Sequence, residues 1–124
     1  MKYLLDVNIL IAAIWNNHPQ HARAFNWLLG KNVLLCPLSE LGFLRISSNP
    51  KAINAPMEKA RELLEEFSRD RRAEWLPDDL PALKSHAKKS DAVTDMYLAG
   101  LAEKHGVMLA TLDSRISHRS VEVI

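Results

Sequence analysis

The stretch Tyr3-Leu4-Leu5-Asp6-Val7-Asn8-Ile9-Leu10-Ile11-Ala12-Ala13-Ile14-Trp15 decides the fold. Tyr3 to Asp6 is apolar at successive positions and too short for a helix. It reads as a strand covered on both faces, as in a parallel sheet. Val7 to Trp15 is apolar on nearly all sides, as in a buried helix. A covered strand that runs directly into a buried helix is the opening half of a βαβ unit. Asp6 stands at the junction, where a carboxylate is costly unless something compensates it.

The same alternation continues outward. Pro19 to Leu29 reads as a second helix with an apolar stripe of Ala22, Phe25, Leu28 and Leu29, stopped by Gly30. Val33 to Cys36 is a second buried strand. Ser39 is the expected N-cap of a helix through Ile46, with Asn49-Pro50 as its breaker. Pro56 opens a helix with Leu63, Leu64 and Phe67 at helical spacing. Ala73 to Leu76 is expected as a third strand and Leu80 to Lys88 as helix. Asp91 to His105, with Gly106 behind it, is the clearest helix; Asp91 is its expected N-cap. Val107 to Thr111 is another buried strand, and Val121 to Val123 an edge strand. Strands alternating with helices argue an α/β fold: a three-layer sandwich with a mostly parallel sheet of 4-5 strands and helices on both faces, as one domain over 1–124.

Composition narrows the class. Of 124 residues 48% are hydrophobic, enough for a core in one domain. The apolar runs are too short to span a bilayer and the N-terminus lacks signal-peptide features, so no membrane is expected and a cytoplasmic protein is the simplest reading. Cys36 alone cannot form an internal disulfide framework, and it reads as core rather than nucleophile. There is no Walker A pattern, dinucleotide fingerprint or zinc-type cysteine spacing.

Four acids carry the chemistry: Asp6, Glu40, Asp95 and Asp113. Asp6 and Asp113 end predicted parallel strands, at the sheet edge where ligands of open α/β folds bind. Glu40 follows a strand at the start of its helix, and Asp95 lies in the first turns of another. Each has a local alternative. Asp6 can cap the next helix, Glu40 and Asp95 can be first-turn acids favoured by the helix dipole, and Asp113 can be a turn residue. Convergence of all four requires a cation or raised pKa values. Mg²⁺ or Mn²⁺ suits all-oxygen ligands, and metal-assisted phosphodiester cleavage is the chemistry expected. The formal charge is +1; with four acids neutralised, the remaining surface is about +5, which suits an anionic partner.

Four segments, in order, resemble the PIN-domain ribonucleases, and in particular the VapC toxins of VapBC toxin–antitoxin systems. They are Leu4-Leu5-Asp6-Val7-Asn8, Cys36 to Ile46 with Asn49-Pro50, Val93-Thr94-Asp95-Met96-Tyr97-Leu98-Ala99, and Leu109-Ala110-Thr111-Leu112-Asp113. The resemblance covers nearly the whole chain and implies a PIN-like sandwich. It implies that Asp6, Glu40, Asp95 and Asp113 are catalytic and hold one or two Mg²⁺ or Mn²⁺ ions, with Asn8 and Thr111 orienting Asp6 and Asp113. It implies a structured RNA substrate such as tRNA or rRNA, a homodimer, and a cognate VapB-like antitoxin laid over the helices Pro19–Leu29 and Pro56–Phe67. Many relatives carry a further acid two residues after the fourth, then an aromatic. Here Arg115 and Ile116 stand there, which puts a second metal in doubt.

Arg45, Lys88, Lys89 and Arg115 are the basic residues expected to meet RNA; Arg45 follows Glu40 by five residues. Asp91, four residues before Asp95, is an auxiliary ligand in second place to its capping role. Arg69, Arg71 and Arg72 are expected to pair with neighbours or complement a helix end. The histidines are scattered, and none is an obvious general base. Trp15, Trp27 and Trp75 are expected in the core. Competing readings are a nuclease of the same fold outside a toxin system, acting on other RNA or DNA, and a non-catalytic RNA- or protein-binding scaffold. Aspartyl-phosphate chemistry at Asp6 is weaker, because Asn8 stands where a second acid would be needed.

Overall fold

The first strand, β1 (Lys2–Leu5), occupies the middle of a five-stranded sheet in the computed structural model, which describes residues 1–124. β2 (Asn32–Leu35) and then β3 (Glu74–Trp75) lie on one side of it; β4 (Met108–Thr111) and then β5 (Val121–Val123) lie on the other. Every pairing is parallel. Leu4 stands opposite Leu34 on one flank and Leu109 on the other.

The period of two along each strand divides the core. Tyr3, Leu5, Val33, Leu35 and Ala110 face one cluster, built with α1 (Val7–Ile14), α2 (His21–Leu28), α3 (Pro37–Ser48) and α4 (Met57–Asp70). Leu4, Leu34 and Leu109 face the other, closed by Leu98, Ala99, Leu101 and Ala102 of α5 (Val93–Lys104). The sandwich has three layers, with four helices on one side and one on the other. α1 is buried at Ile9 through Ala13, which explains its nearly uniform apolar sequence. No helix is long and apolar enough to cross a membrane.

Several expectations need correction. The buried face of α2 is Ala24 and Leu28; Phe25 and Leu29 are exposed. α3 starts at Pro37, whose missing N–H suits a first-turn position, and runs to Ser48. Ser39 is therefore inside the helix, where its buried hydroxyl donates to the Leu5 carbonyl at 2.9 Å and ties α3 to the end of β1. The third strand is only two residues long. Residues 80–88 hold a short 3₁₀ turn at Ala82–Lys84, because Pro81 interrupts the backbone and Leu83, 94% exposed, has no face to bury. Asp91 belongs to a separate 3₁₀ turn, Ser90–Ala92, and Ala92 is the N-cap residue of α5. Trp75 is exposed rather than core. Of the arginines expected to pair or complement a helix end, Arg69 does stand in the last turn of α4, but none forms an ion pair; Arg71 lies over the rings of Phe25 and Phe67 and donates to the Leu28 carbonyl.

Candidate active site

The chain leaves β1 toward β2 in one direction and reaches β4 in the other, so the order reverses between β1 and β4. Crevices at such reversals, beyond the carboxyl ends of the strands, are where open α/β sheets bind ligands. Asp6 follows the last residue of β1 there, and its backbone N–H donates to Ala110 of β4 at 3.0 Å.

Asp6 is 3% exposed. Its Oδ1 accepts from the Val7 N–H at 2.7 Å, so it does cap α1; its Oδ2 accepts from the Thr111 hydroxyl, also at 2.7 Å. Cap and site are thus one residue. Burial pushes the Asp6 carboxyl above its usual pKa; the Thr111 and Val7 hydrogen bonds oppose that, and the nearby Asp113 charge adds to it. Thr111, fully buried, accepts in turn from Asn8 Nδ2 at 3.0 Å and from the Asp113 N–H at 3.1 Å. Asn8 Oδ1 accepts from the Leu112 N–H at 3.1 Å. Asn8 and Thr111 therefore stitch the ends of β1 and β4 together and set the direction of Asp6.

Asp95, half-buried in the first turn of α5, has its pKa raised to about 6, first by burial and then by the charges of Asp6 and Asp113. Asp113 sits just past β4, gripped by Arg115, whose side-chain hydrogen bonds hold it below the usual carboxylate range. Asp95 belongs to two clefts. One, of about 360 Å³, also holds Asp6, Thr94 and Arg45. The other, of about 420 Å³, is lined by Asp91, Asp113 and Arg115 together with Lys88 and Lys89. His86 lines that second cleft as well, a position nothing in its local sequence indicates.

Glu40 stands apart. Its Oε1 accepts from the Trp75 indole N–H at 3.1 Å, and it lines a groove between α3 and α4 rather than either cleft of Asp95. No three His, Cys, Asp or Glu side chains are gathered closely enough to chelate one ion. Asp6, Asp95 and Asp113 nonetheless fit a hard divalent cation in kind. All are oxygen donors, and the repulsion that adds to burial in lifting Asp95 is what a cation among them relieves. Sequence reasoning missed the Ser39 tie and the Trp75 contact. Trp75 is 35 residues from Glu40, and only the pairing of β2 with β3 brings them together.

A PIN-domain family model matches residues 3–122. Ribonuclease VapC38 of Mycobacterium tuberculosis is 35% identical, over 91% of this chain and 86% of the relative. Ribonuclease VapC39 of the same species is 35% identical, over 94% and 92%. Two solved structures share the fold at low identity. One is VapBC2 from Rickettsia felis bound to a DNA fragment from their promoter, with a TM-score of 0.66, 16% identity, and 100% and 99% of the two chains covered. The other is DNA-bound VapBC from Salmonella typhimurium, with a TM-score of 0.64, 18% identity, and 100% and 97% covered.

Proposed function

Because the chain belongs to the PIN-domain family, with VapC ribonucleases among its relatives, we propose that it is a metal-dependent endoribonuclease, the toxin half of a toxin–antitoxin pair. One observation carries the reading. A buried, doubly hydrogen-bonded Asp6 lies at the strand-order reversal, and its charge and that of Asp113 add to the burial that lifts Asp95 to about 6.

In this reading Asp6, Asp95 and Asp113 hold Mg²⁺ or Mn²⁺, with Glu40 joining them by a side-chain movement. When bound, the ion supplies Lewis-acid activation of water and of the phosphoryl group. The chain's own residues do the rest. Asn8 and Thr111 keep Asp6 aimed and stop it from rotating. Arg45 on one side, and Lys88 and Lys89 on the other, offset backbone phosphate charge along the two clefts. Arg115 has a fork suited to phosphate once it leaves Asp113. The working unit is one domain over 1–124, acting as a homodimer on tRNA or rRNA and silenced by a VapB-like antitoxin. Purification of the protein from its native cells, followed by identification of any small protein that copurifies, tests the partner.

The activity test is cleavage of a total-RNA pool by the purified protein with Mg²⁺ or Mn²⁺, with EDTA, and with Asp6→Ala. Metal-dependent cutting that the substitution abolishes is expected. The separation of Glu40 from the other acids favours one second reading, a PIN-fold scaffold that binds RNA without cutting it. Saturable RNA binding with no product at any Mg²⁺ or Mn²⁺ concentration would establish that instead.

A further inference from the structure

The position of Glu40 calls for a physical cause. It is a carboxylate at the start of α3, whose preceding residue Ser39 is tied to the end of β1, yet its oxygen points to β3. Trp75 ends β3 and is 60% exposed as a residue, so burial does not explain a tryptophan there. An indole N–H is a donor only, and a charged acceptor strengthens its bond. Arg61 and Arg69 of α4 line the same groove, against one further acid, Glu65, so positive charge outweighs negative among the other residues that line it. The other side offers Asp6, Asp95 and Asp113, which repel it.

We propose that Trp75 is a positioning residue for Glu40: its indole N–H parks the Glu40 carboxylate in the α3–α4 groove, and a divalent cation at Asp6, Asp95 and Asp113 completes its ligands by drawing Glu40 off Trp75. The inference rests on the metal-dependent reading given above. It makes the ligand set conditional: three acids stand on the crevice, and the fourth is delivered only when a cation outcompetes the indole. Cation affinity then carries the cost of breaking that hydrogen bond, and Trp75 reports occupancy of the site.

The test is a double-mutant cycle read by binding rather than by activity. Mg²⁺ is titrated calorimetrically into the wild-type protein, Trp75→Phe, Glu40→Ala and the double variant, with circular dichroism confirming the fold. Tryptophan emission is followed in parallel. Trp75→Phe keeps an aromatic ring and removes the N–H, so affinity should rise on the order of three- to tenfold, the weight of one ordinary hydrogen bond at an exposed position. In the Glu40→Ala background the same change should do nothing. Wild-type emission should change saturably with Mg²⁺, and Trp75→Phe and Glu40→Ala should each abolish that change. Saturable binding with no emission change and no effect of Trp75→Phe overturns the parking role and leaves the nuclease reading standing. Absence of saturable Mg²⁺ binding to the wild-type protein overturns both.

Discussion

Arg115 holds Asp113 from three directions: its Nε lies 3.0 Å from Oδ1, its Nη2 2.9 Å from Oδ2, and its backbone N–H 2.9 Å from Oδ1. Two residues after Asp113, this chain carries the counter-charge of its own fourth acid. A cation approaching Asp113 has to displace that fork. Arg115→Ala should therefore strengthen Mn²⁺ binding, by about two- to fivefold because the arginine is exposed and its pair is screened. Calorimetric titration measures this. Unchanged affinity would mean that the ion never reaches Asp113.

Thr111 serves three partners from one buried hydroxyl. Thr111→Val preserves its shape and leaves Asp6 Oδ2, Asn8 Nδ2 and the Asp113 N–H each short of a partner. Urea unfolding in EDTA should show a loss of about 1–3 kcal/mol, the usual cost of stranding buried polar groups. RNA cleavage should fall with it, since Asp6 is no longer held. Thr111→Ser keeps the hydroxyl and should recover most of both. A Val variant as stable as wild type would show that the hydroxyl carries no structural weight.

Asp95 makes the metal-free protein more stable in mild acid. Its folded pKa of about 6 lies above its ordinary 3.8, so the folded state binds the proton more tightly than the unfolded chain. Between those values the folded state carries the extra proton, and stability falls as pH rises. The penalty is complete above about 6 and relieved on the way down to about 4. Asp6, also raised, acts in the same sense; the lowered Asp113, Asp79 and Glu103 act oppositely, below their ordinary values. The melting temperature in EDTA should therefore rise from pH 7 to pH 5. Asp95→Asn should flatten that rise, and an equal slope in the variant would assign it to other groups.

Gly42 lets α3 approach the head of α1. A Cβ there would come within 2.5 Å of Val7 Cγ2, inside any real contact. Val7 follows Asp6, so the strain falls next to the site. Gly42→Ala should cost about 1–3 kcal/mol as overpacking. Adding Val7→Ala should restore part of it. Thermal unfolding of the single and double variants checks this; additive losses would contradict a shared clash.

Much of this architecture was legible because the local signals agree with one another. Apolar runs at 3–5, 33–35 and 108–111 are strands, and Gly30 and Gly106 terminate their helices at positive φ of 75° and 67°. Asp6, Asp95 and Asp113 were locatable because the ends of parallel strands and the head of the helix across the reversal meet at one edge. Glu40 was not, because proximity in sequence to a strand end does not choose a rotamer; an indole from β3 does. Residues 80–88 differ because Leu80, Leu83 and the lysines mimic an amphipathic turn, while Pro81 interrupts it and only Leu80, not Leu83, packs on the core.

The hydrogen bond from Thr111 to Asp6 joins residues 105 positions apart. A growing chain contains Asp6 and Glu40 well before β4 exists to pair with β1. Until β4 docks, the first acid has neither its hydroxyl partner nor its neighbouring charge. Asp6 and Glu40 are thus made first, and the hydrogen-bonded Asp6 of the crevice forms only once β4 is in place.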